Sequence, residues 1–256
     1  MEPGIDRTPG GTVLVLGGTA EARELATLLD RAGVPFVSSL AGRVARPRLP
    51  VGRVRVGGFG GVAGLVAFLA DHAVTAVVDA THPFAEGMTG NAVAACAASG
   101  VPLLRLERPG WADAPGADTW HWVGDHAEAA DLVAELGKRP FLTVGRQDLA
   151  TFTGPLSDHA VLVRVVDVPE LALPTPWTLV TSRGPYRAAE ERLLMTGHRV
   201  DALVTKDSGG TYTWPKLEVA AELGLPVVIV RRREGPAGVR TVTGPDEAAA
   251  WVCARA

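Results

Sequence analysis

Short apolar segments alternate with helical patterns along most of this 256-residue chain. Segments such as Thr12–Leu16 and Thr75–Ala80 are mainly apolar on successive positions, and the helical pattern Glu21–Arg31 follows the first of them. A strand that faces water on one side alternates apolar and polar residues, whereas a parallel strand covered by helices on both faces is apolar throughout. The pattern therefore predicts an α/β protein with mostly parallel sheets flanked by helices.

The alternation is interrupted between Arg108 and Gly124, where prolines, glycines and three tryptophans accumulate. We interpret residues 111–124 as a linker or domain edge between two Rossmann-like domains, residues 12–110 and residues 125–256. On this interpretation the active site lies in the cleft between the domains.

A local repeat supports two domains over one large sheet. Residues 121–133 and residues 240–252 both show a short strand, a turn with Gly or Asp, and an Ala-rich helix with an acidic first turn. Because acidic residues are favoured at the start of any helix, a chance likeness stays open.

Composition and charge exclude several classes of protein. No apolar segment is long enough to span a bilayer, and residues 1–11 are too polar for a secretory signal, so we expect a short disordered leader and a cytoplasmic protein. A net charge of −3 gives no electrostatic reason to expect nucleic acid or a membrane as partner. Cys96 and Cys253 lie in Ala-rich helical patterns with no Cys or His at metal-ligand spacing, so we expect buried thiols and no metal site.

Two adjacent glycines follow the first apolar segment, in VLVLGGTAEARELA at residues 13–26. Glycines between a buried strand and a helix let the backbone turn sharply and present N–H groups to a phosphate. The candidate cofactor-binding residues here are Gly17, Gly18, Thr19 and Glu21. The match to the dinucleotide fingerprint is imperfect, so a tight turn without a ligand stays open as the alternative.

The next apolar segment leads into FVSSLAGRVARPR, which has no carboxylate. An acidic residue roughly twenty positions after the glycines binds the ribose of NADH, whereas NADPH requires neutral donors and arginine. Ser38 and the arginines Arg43, Arg46 and Arg48 therefore favour NADPH, with Arg43 as the first candidate for the 2′-phosphate. The alternative is that some of these arginines belong to a solvated loop.

Two further turns are expected at the same sheet edge. VGGFGG at residues 56–61 contributes Gly57 and Gly58, and the tetrapeptide Thr81-His82-Pro83-Phe84 follows another strand. Because the carboxyl ends of parallel strands converge, these turns should line one crevice with Gly17 and Gly18. Pro83 fits a first helical turn, which leaves Thr81 and His82 as cofactor-binding candidates.

A series of spaced motifs resembles the precorrin-6A reductases of cobalamin (vitamin B12) biosynthesis. The motifs run in order from about residue 12 to residue 233: LGGTAEAR, SLAGRVARPRLP with VRVGGFGG, DATHPFA, SRGPY, and VTKDSGG with KLEVAAELGLPVVIVRR. The resemblance implies a two-domain α/β enzyme that uses NADPH to reduce a double bond of the precorrin-6A macrocycle, giving dihydro-precorrin-6 (precorrin-6B). It also implies a tetrapyrrole substrate and contacts with other enzymes of the pathway. Residues 111–124 and 146–160 match none of these motifs.

The second half of the chain offers groups that suit a substrate with many carboxylates. Basic and hydroxyl side chains recur at predicted strand ends or helix starts, and the candidate substrate-binding residues are Arg183, Tyr186, Lys206, Ser208 and Lys216. Each basic residue taken alone is also compatible with a solvated surface, and Lys206 with a phosphate site for a second nucleotide.

The expected chemistry is hydride transfer from C4 of NADPH followed by protonation of the neighbouring carbon. The candidate proton donors are His82, Tyr186 and Asp207, with a carboxyl group of the substrate as another source. For His82 a purely structural role in the turn is an equal alternative. Two other classes of function stay open: another NADPH-dependent reductase or epimerase, and a dinucleotide-sensing module without catalysis.

Overall fold

The computed structural model describes residues 11–42 and 47–255. These residues form two compact units, each with its own six-stranded sheet in which all neighbouring strands are parallel. The predicted α/β class is therefore confirmed. Within the described residues, no helix combines the length and apolar character needed to cross a membrane.

The elements alternate as the sequence predicts. The first half contains β1 (Thr12–Leu16), α1 (Ala20–Arg31), β2 (Phe36–Leu40), β3 (Arg53–Val56), α2 (Gly61–Asp71), β4 (Val74–Asp79), α3 (Glu86–Ser99) and β5 (Leu103–Leu106). After a short 3-10 helix (Ala117–Thr119), the second half contains β6 (His121–Val123), α4 (His126–Leu136), β7 (Pro140–Leu142), α5 (Ala150–Thr153), β8 (Leu162–Val165), β9 (Thr178–Thr181), α6 (Ala188–Gly197), β10 (Ala202–Lys206), α7 (Pro215–Glu222), β11 (Val227–Val230), β12 (Arg240–Val242) and α8 (Pro245–Cys253).

Both sheets have the same strand order. The first is β3-β2-β1-β4-β5-β12 and the second is β9-β8-β7-β10-β11-β6. In each case three strands run outward in one direction before the order reverses, which is the Rossmann arrangement. The reversal lies between β1 and β4 in the first sheet and between β7 and β10 in the second, and these two positions are called the first and second switch points below.

The core of the first unit forms on both faces of its sheet. One cluster joins α1 and α8 to the sheet through Leu25, Leu29 and Trp251. A second cluster lies on the other face of the sheet and contains Leu65 and Leu69 of α2 and Ala92 of α3. Burial on both faces explains why the strands are continuously apolar.

The boundaries of the two units differ from those predicted from sequence. The first unit consists of the chain up to Arg108 and the segment from Arg233 onward, and the second consists of Pro109–Arg232. Residues 233–256 were expected in the second domain, but β12 pairs with β5, with Arg240 opposite Leu104. Residues 111–124 were expected to be a linker, but β6 pairs with β11 in the second sheet.

The physical reason lies in the repeat at residues 121–133 and 240–252. Both copies form an edge strand and a helix, and each copy occupies the sixth position of a sheet. A local pattern specifies such a unit, but it does not specify which sheet receives it.

The two cysteines differ in environment. Cys96 is buried in the second cluster of the first unit, as expected, whereas Cys253 is exposed. The expectation of a buried thiol was wrong for Cys253, because it is the last residue of α8 and the neighbouring Trp251 and Val252 take the inward positions. Within the described residues, no group of side chains has the makeup of a metal site.

We predict that Trp251→Ala destabilises the first unit although residue 251 lies near the end of the chain. Trp251 is only 6% exposed and packs in the cluster that covers β1, β4 and β5. Loss of a buried tryptophan costs about 3–5 kcal/mol. Hydrogen-exchange mass spectrometry should show faster exchange in β1, β4 and β5, with β7 and β10 unchanged. The control Leu193→Ala alters a residue that is 74% exposed and should leave exchange as in the wild type. Faster exchange confined to β7 and β10 would contradict the assignment of α8.

Candidate functional site

The glycine turn after β1 lies at the first switch point. Gly18 has φ +116°, and no atom lies within 4 Å of the position that a Cβ would take there. Such a backbone conformation favours glycine, and the open space lets a ligand approach the main chain. Gly17 is held from behind, because its N–H donates to the Ser39 carbonyl at 2.9 Å.

Thr19 joins the two sides of this switch point. Its hydroxyl caps α1 by accepting from the Ala22 N–H at 3.1 Å, and the same hydroxyl donates to the Ala80 carbonyl at 2.8 Å. Thr19 is buried, so its role is to fix the end of β1 against the end of β4. The predicted convergence of the glycine turn and the Thr81 turn therefore rests on a direct hydrogen bond.

A pocket lies beside the glycine turn, and its lining includes Gly17, Gly18, Ser38, Arg23 and Arg48. Ser38 is 2% exposed, and its Oγ has no hydrogen-bond partner among the described residues. A buried hydroxyl that lacks a protein partner is costly unless a ligand or water completes its hydrogen bonds. The lining contains no acidic side chain within the described part of the chain.

The pocket bears on one sequence prediction and adds a residue. Gly17, Gly18 and Ser38 are brought together as predicted. Arg43 lies outside the described residues, so its assignment to the 2′-phosphate stays a prediction. Arg23 was missed, because an arginine in a helix resembles any surface residue. The sequence feature that could have indicated Arg23 is its position in the first turn of α1, shortly after the Thr19 cap.

The second glycine turn is organised by Arg55. The guanidinium donates to the Gly57 carbonyl at 2.6 Å and to the Gly58 carbonyl at 2.8 Å, and it lies 4.0 Å from the centre of the Phe59 ring. The sequence predicted both glycines but not Arg55. Arg55 lies in the edge strand β3, where arginine and valine alternate, and this pattern does not indicate an arginine that holds the main chain.

A buried ion pair underlies the Thr81-His82 turn. Asp79 and Arg105 are 1% and 2% exposed, and Arg105 Nη1 lies 2.7 Å from Asp79 Oδ2. The other carboxylate oxygen accepts from the Thr81 N–H at 3.1 Å and from the Thr81 hydroxyl at 2.7 Å. Thr89 Oγ1 on α3 donates to Asp79 Oδ2 at 2.7 Å. Thr81 is therefore held from both its main chain and its side chain, and its hydroxyl is committed to the protein.

The charge of Asp79 also reaches Cys96. Burial, and secondly the negative charge of Asp79, raises the pKa of the Cys96 thiol to about 11. The thiol stays protonated at neutral pH, so Cys96 packs as an apolar side chain and is not a nucleophile.

His82 follows this anchored residue and is partly exposed. The Phe84 N–H contacts His82 Nδ1 at 3.2 Å, so Nδ1 acts as the acceptor. The neutral tautomer that satisfies this contact carries its proton on Nε2. The arrangement favours His82 as a hydrogen-bond donor, and an imidazolium proton donor would have to break the contact with Phe84.

Glu21, a predicted cofactor residue, is bound to the protein. Its carboxylate lies 2.8 Å from Arg108 Nη1. This ion pair connects the first turn of α1 to Arg108, the residue after which the chain enters the second unit. This placement gives Glu21 a structural role.

At the second switch point three charged or titratable side chains meet. Lys206 Nζ lies 3.1 Å from Asp148 Oδ2, and His126 Nε2 lies 3.4 Å from the same oxygen. Lys206 was predicted from the sequence. Asp148 and His126 were missed, because neither stands in a motif and only the fold brings residues 126, 148 and 206 together.

Two predicted proton donors in the second unit have other contacts. Asp207 is 4% exposed, accepts from the Trp111 N–H at 2.9 Å, and lies 3.1 Å from Arg232 Nε. It therefore ties the first residues of the unit to the last. The Tyr186 hydroxyl donates to the Ser182 carbonyl at 3.2 Å, and the ring lies 3.8 Å from the guanidinium carbon of Arg164.

The remaining candidates divide by exposure. Lys216 is 2% exposed, and its ammonium donates to the Thr213 carbonyl at 2.8 Å and lies over the Trp111 ring. Its environment is that of a core residue. Arg183 and Ser208 are partly exposed and lie in the loops after β9 and β10.

Two Rossmann-ordered sheets, with a glycine turn at one switch point and Lys206 at the other, together define a two-unit α/β protein of the Rossmann-like class. The comparisons with known proteins narrow this class. The chain belongs to the precorrin-6x reductase CbiJ/CobK family, whose model matches residues 12–253.

Individual relatives agree over nearly the whole chain. A precorrin-6A reductase of Rhodococcus erythropolis is 50% identical over 241 residues, which cover 94% of this chain and 96% of the relative. A precorrin-6A reductase of Mycobacterium tuberculosis is 51% identical over 242 residues, which cover 94% and 96%. A solved structure of CobK precorrin-6A reductase superposes with a TM-score of 0.88 at 40% identity, and covers 96% of this chain and 97% of its own.

We predict that Arg105→Met strongly destabilises the first unit. Removing one partner leaves the Asp79 carboxylate buried without its counterion, which costs about 3–5 kcal/mol. The control Arg192→Met removes an exposed pair with Glu222, with both side chains more than 40% exposed, and should cost about 0–1 kcal/mol. Urea unfolding of both variants measures the difference. Equal losses of unfolding free energy would show that the Asp79–Arg105 pair has no special weight.

Proposed function

We propose that this chain is an NADPH-dependent reductase that converts precorrin-6A into its dihydro form. The observation that carries the proposal is the family match over residues 12–253, together with precorrin-6A reductases that are about half identical over almost all of the chain. The residues of the first switch point supply the chemical support for the cofactor.

NADPH, when bound, supplies the hydride for reduction of the macrocycle. The Gly18 N–H and the N-terminus of α1 would hold its pyrophosphate, because this end of a helix attracts anions. The open approach at Gly18 and the unsatisfied Ser38 hydroxyl fit such a ligand.

The choice of NADPH over NADH rests on the charges of the pocket. Arg23, Arg48 and Ser38 line it, and Ser38 is proposed to bind ribose. A carboxylate among them would repel a 2′-phosphate, whereas arginine binds it with charge-assisted hydrogen bonds. Arg43, which precedes Arg48 in the sequence, is proposed as a further ligand.

The substrate contacts are proposed in the second unit. A precorrin carries acetate and propionate groups, which arginine, lysine and hydroxyl side chains bind. Arg183, Lys206 and Ser208 are at least partly exposed and suit this role, whereas Lys216 and Tyr186 support the surrounding structure. His82, by its tautomer, is proposed to orient a bound group through an Nε2–H hydrogen bond.

The reductase proposal is tested by anaerobic incubation with NADPH and precorrin-6A. We expect the absorbance of NADPH to fall and the macrocycle spectrum to change in equal molar amounts, because one hydride and one proton reduce one double bond. A reaction mixture that contains the protein and NADPH but no precorrin-6A serves as the control. Constant NADPH absorbance with intact substrate would sink the proposal and leave the cofactor-sensing alternative.

The cofactor proposal predicts a selective loss. Arg48→Ala and Arg43→Ala should each weaken NADPH binding by about tenfold or more, since a hydrogen bond to a charged group contributes about 1.5–3 kcal/mol. Binding of NADH, which lacks the phosphate, should stay near the wild-type value. Arg31→Ala alters the last turn of α1, away from the glycine turn, and serves as the matched control. Isothermal titration measures the affinities, and equal losses for both cofactors would exclude a 2′-phosphate contact.

A further inference from the structure

The cluster Lys206, Asp148 and His126 joins three separate parts of the second unit. Lys206 ends β10, Asp148 lies in the loop after β7, and His126 is the first residue of α4. The side chains of Lys206, Asp148 and His126 are 17%, 32% and 18% exposed. Nε2 of His126 is itself buried, so a molecule in solution reaches the cluster from the side of Lys206 and Asp148. The cluster lies at the second switch point, where ligands of open α/β sheets bind.

The loop after β7 corresponds by strand order to the glycine turn after β1. Gly145 in this loop has φ +85°, and a Cβ placed there would lie 3.7 Å from Lys206 Nζ. The main chain therefore passes close to the ammonium group, which also contacts Asp148. This loop brings a carboxylate to the position at which the first unit has its glycine turn.

Burial and the neighbouring charges shift the pKa of His126. Burial, the largest cause, lowers the pKa of His126, and the positive charge of Lys206 lowers it further. Asp148 and Asp125, the residue before α4, act in the opposite direction. The Phe152 ring of α5 packs edge-on against the imidazole, with 6.3 Å between the two ring centres. The lowered pKa favours an uncharged imidazole at His126 beside the ion pair of Lys206 and Asp148.

We infer that this cluster is a proton-coupled binding site for a carboxylate group of the tetrapyrrole, in which Lys206 exchanges Asp148 for the incoming carboxylate and His126 takes up one proton from solvent. The identity of the ligand rests on the proposed function. The step breaks no covalent bond: one anion arrives, one proton adds to the imidazole, and the net charge of the cluster does not change.

The coupling follows from electrostatics. A second carboxylate beside His126 stabilises the imidazolium form, because nearby negative charge favours a protonated histidine. Binding and protonation then help each other reciprocally. Carboxylate affinity should therefore rise as the pH falls through the range in which the free protein holds His126 neutral and the complex holds it protonated.

Asp148 has a distinct part in this scheme. It competes with the ligand for Lys206, so its removal as a charge should tighten binding of a carboxylate. A merely structural Asp148 would produce the opposite result, since loss of the Lys206 contact would loosen the site. Asp148→Asn keeps the shape of the side chain and separates these two outcomes.

The test uses the full chain and uroporphyrin, a porphyrin with only carboxylate side chains, as the probe. Quenching of tryptophan fluorescence between pH 6 and pH 8 measures its affinity, since Trp111, Trp120, Trp122 and Trp214 all lie in the second unit. The wild type should bind more tightly as the pH falls, by at most about tenfold per pH unit for one coupled proton. His126→Gln should remove this dependence.

The other two substitutions should act in opposite directions at pH 8. Lys206→Met should weaken binding by roughly tenfold or more, because it removes a charged donor. Asp148→Asn should tighten binding. The matched controls are His121→Gln at the start of β6, Lys138→Met before β7 and Asp158→Asn before β8, all exposed. They should bind as the wild type does, and circular dichroism confirms that each variant is folded.

Three results would overturn the inference: no binding of uroporphyrin to the wild type, a pH dependence that survives in His126→Gln, or weaker binding by Asp148→Asn. The outcome is separable from that of the reductase assay. Proton-coupled binding without turnover of precorrin-6A would refute the proposed function and keep the site. Turnover with porphyrin binding that ignores all three substitutions would refute only the site.

Discussion

The reversal of strand order at the centre of each parallel sheet is the constraint on which the rest of this structure depends. Where β1 meets β4, the chains leave their strands in opposite directions, and the space between their loops is left open to ligands. Thr19 sets this geometry by capping α1 and bonding to the Ala80 carbonyl with one hydroxyl. The glycine turn and the Asp79–Thr81 anchor are placed on either side of that bond.

The two switch points use the same topology for different chemistry. The first combines a glycine turn and the N-terminus of α1 with a buried hydroxyl at Ser38 and arginines at the pocket wall, an arrangement that favours a phosphate-bearing ligand. The second replaces the glycine pair by a single Gly145 and adds the charged cluster of Lys206 and Asp148. Equivalent backbones therefore present different side chains, and the side chains decide which ligand chemistry each unit supports.

Buried charges do structural work in both units. Asp79–Arg105 fixes the Thr81 turn, Arg164–Glu191 lies under Tyr186, and Asp207–Arg232 joins the start and end of the second unit. Several residues that the sequence marks as cofactor-binding, substrate-binding or catalytic candidates also have protein partners. Glu21 pairs with Arg108, and the side chains of Tyr186 and Lys216 donate to main-chain carbonyls. The sequence does not distinguish a polar side chain that binds a ligand from one that binds another part of the protein. Only the contact partner in the structure separates these two roles.

The sequence by itself determined the fold class, the glycine turns and most element positions, because hydrophobic periodicity and the conformational freedom of glycine are local properties. It placed β1 at Thr12–Leu16 without error and β4 within one residue. The tertiary structure alone decided that β12 and α8 complete the first sheet, and that residues 126, 148 and 206 meet. Both depend on contacts between segments far apart in the chain, and an edge strand or a lone histidine carries no local signal of the partner it will have.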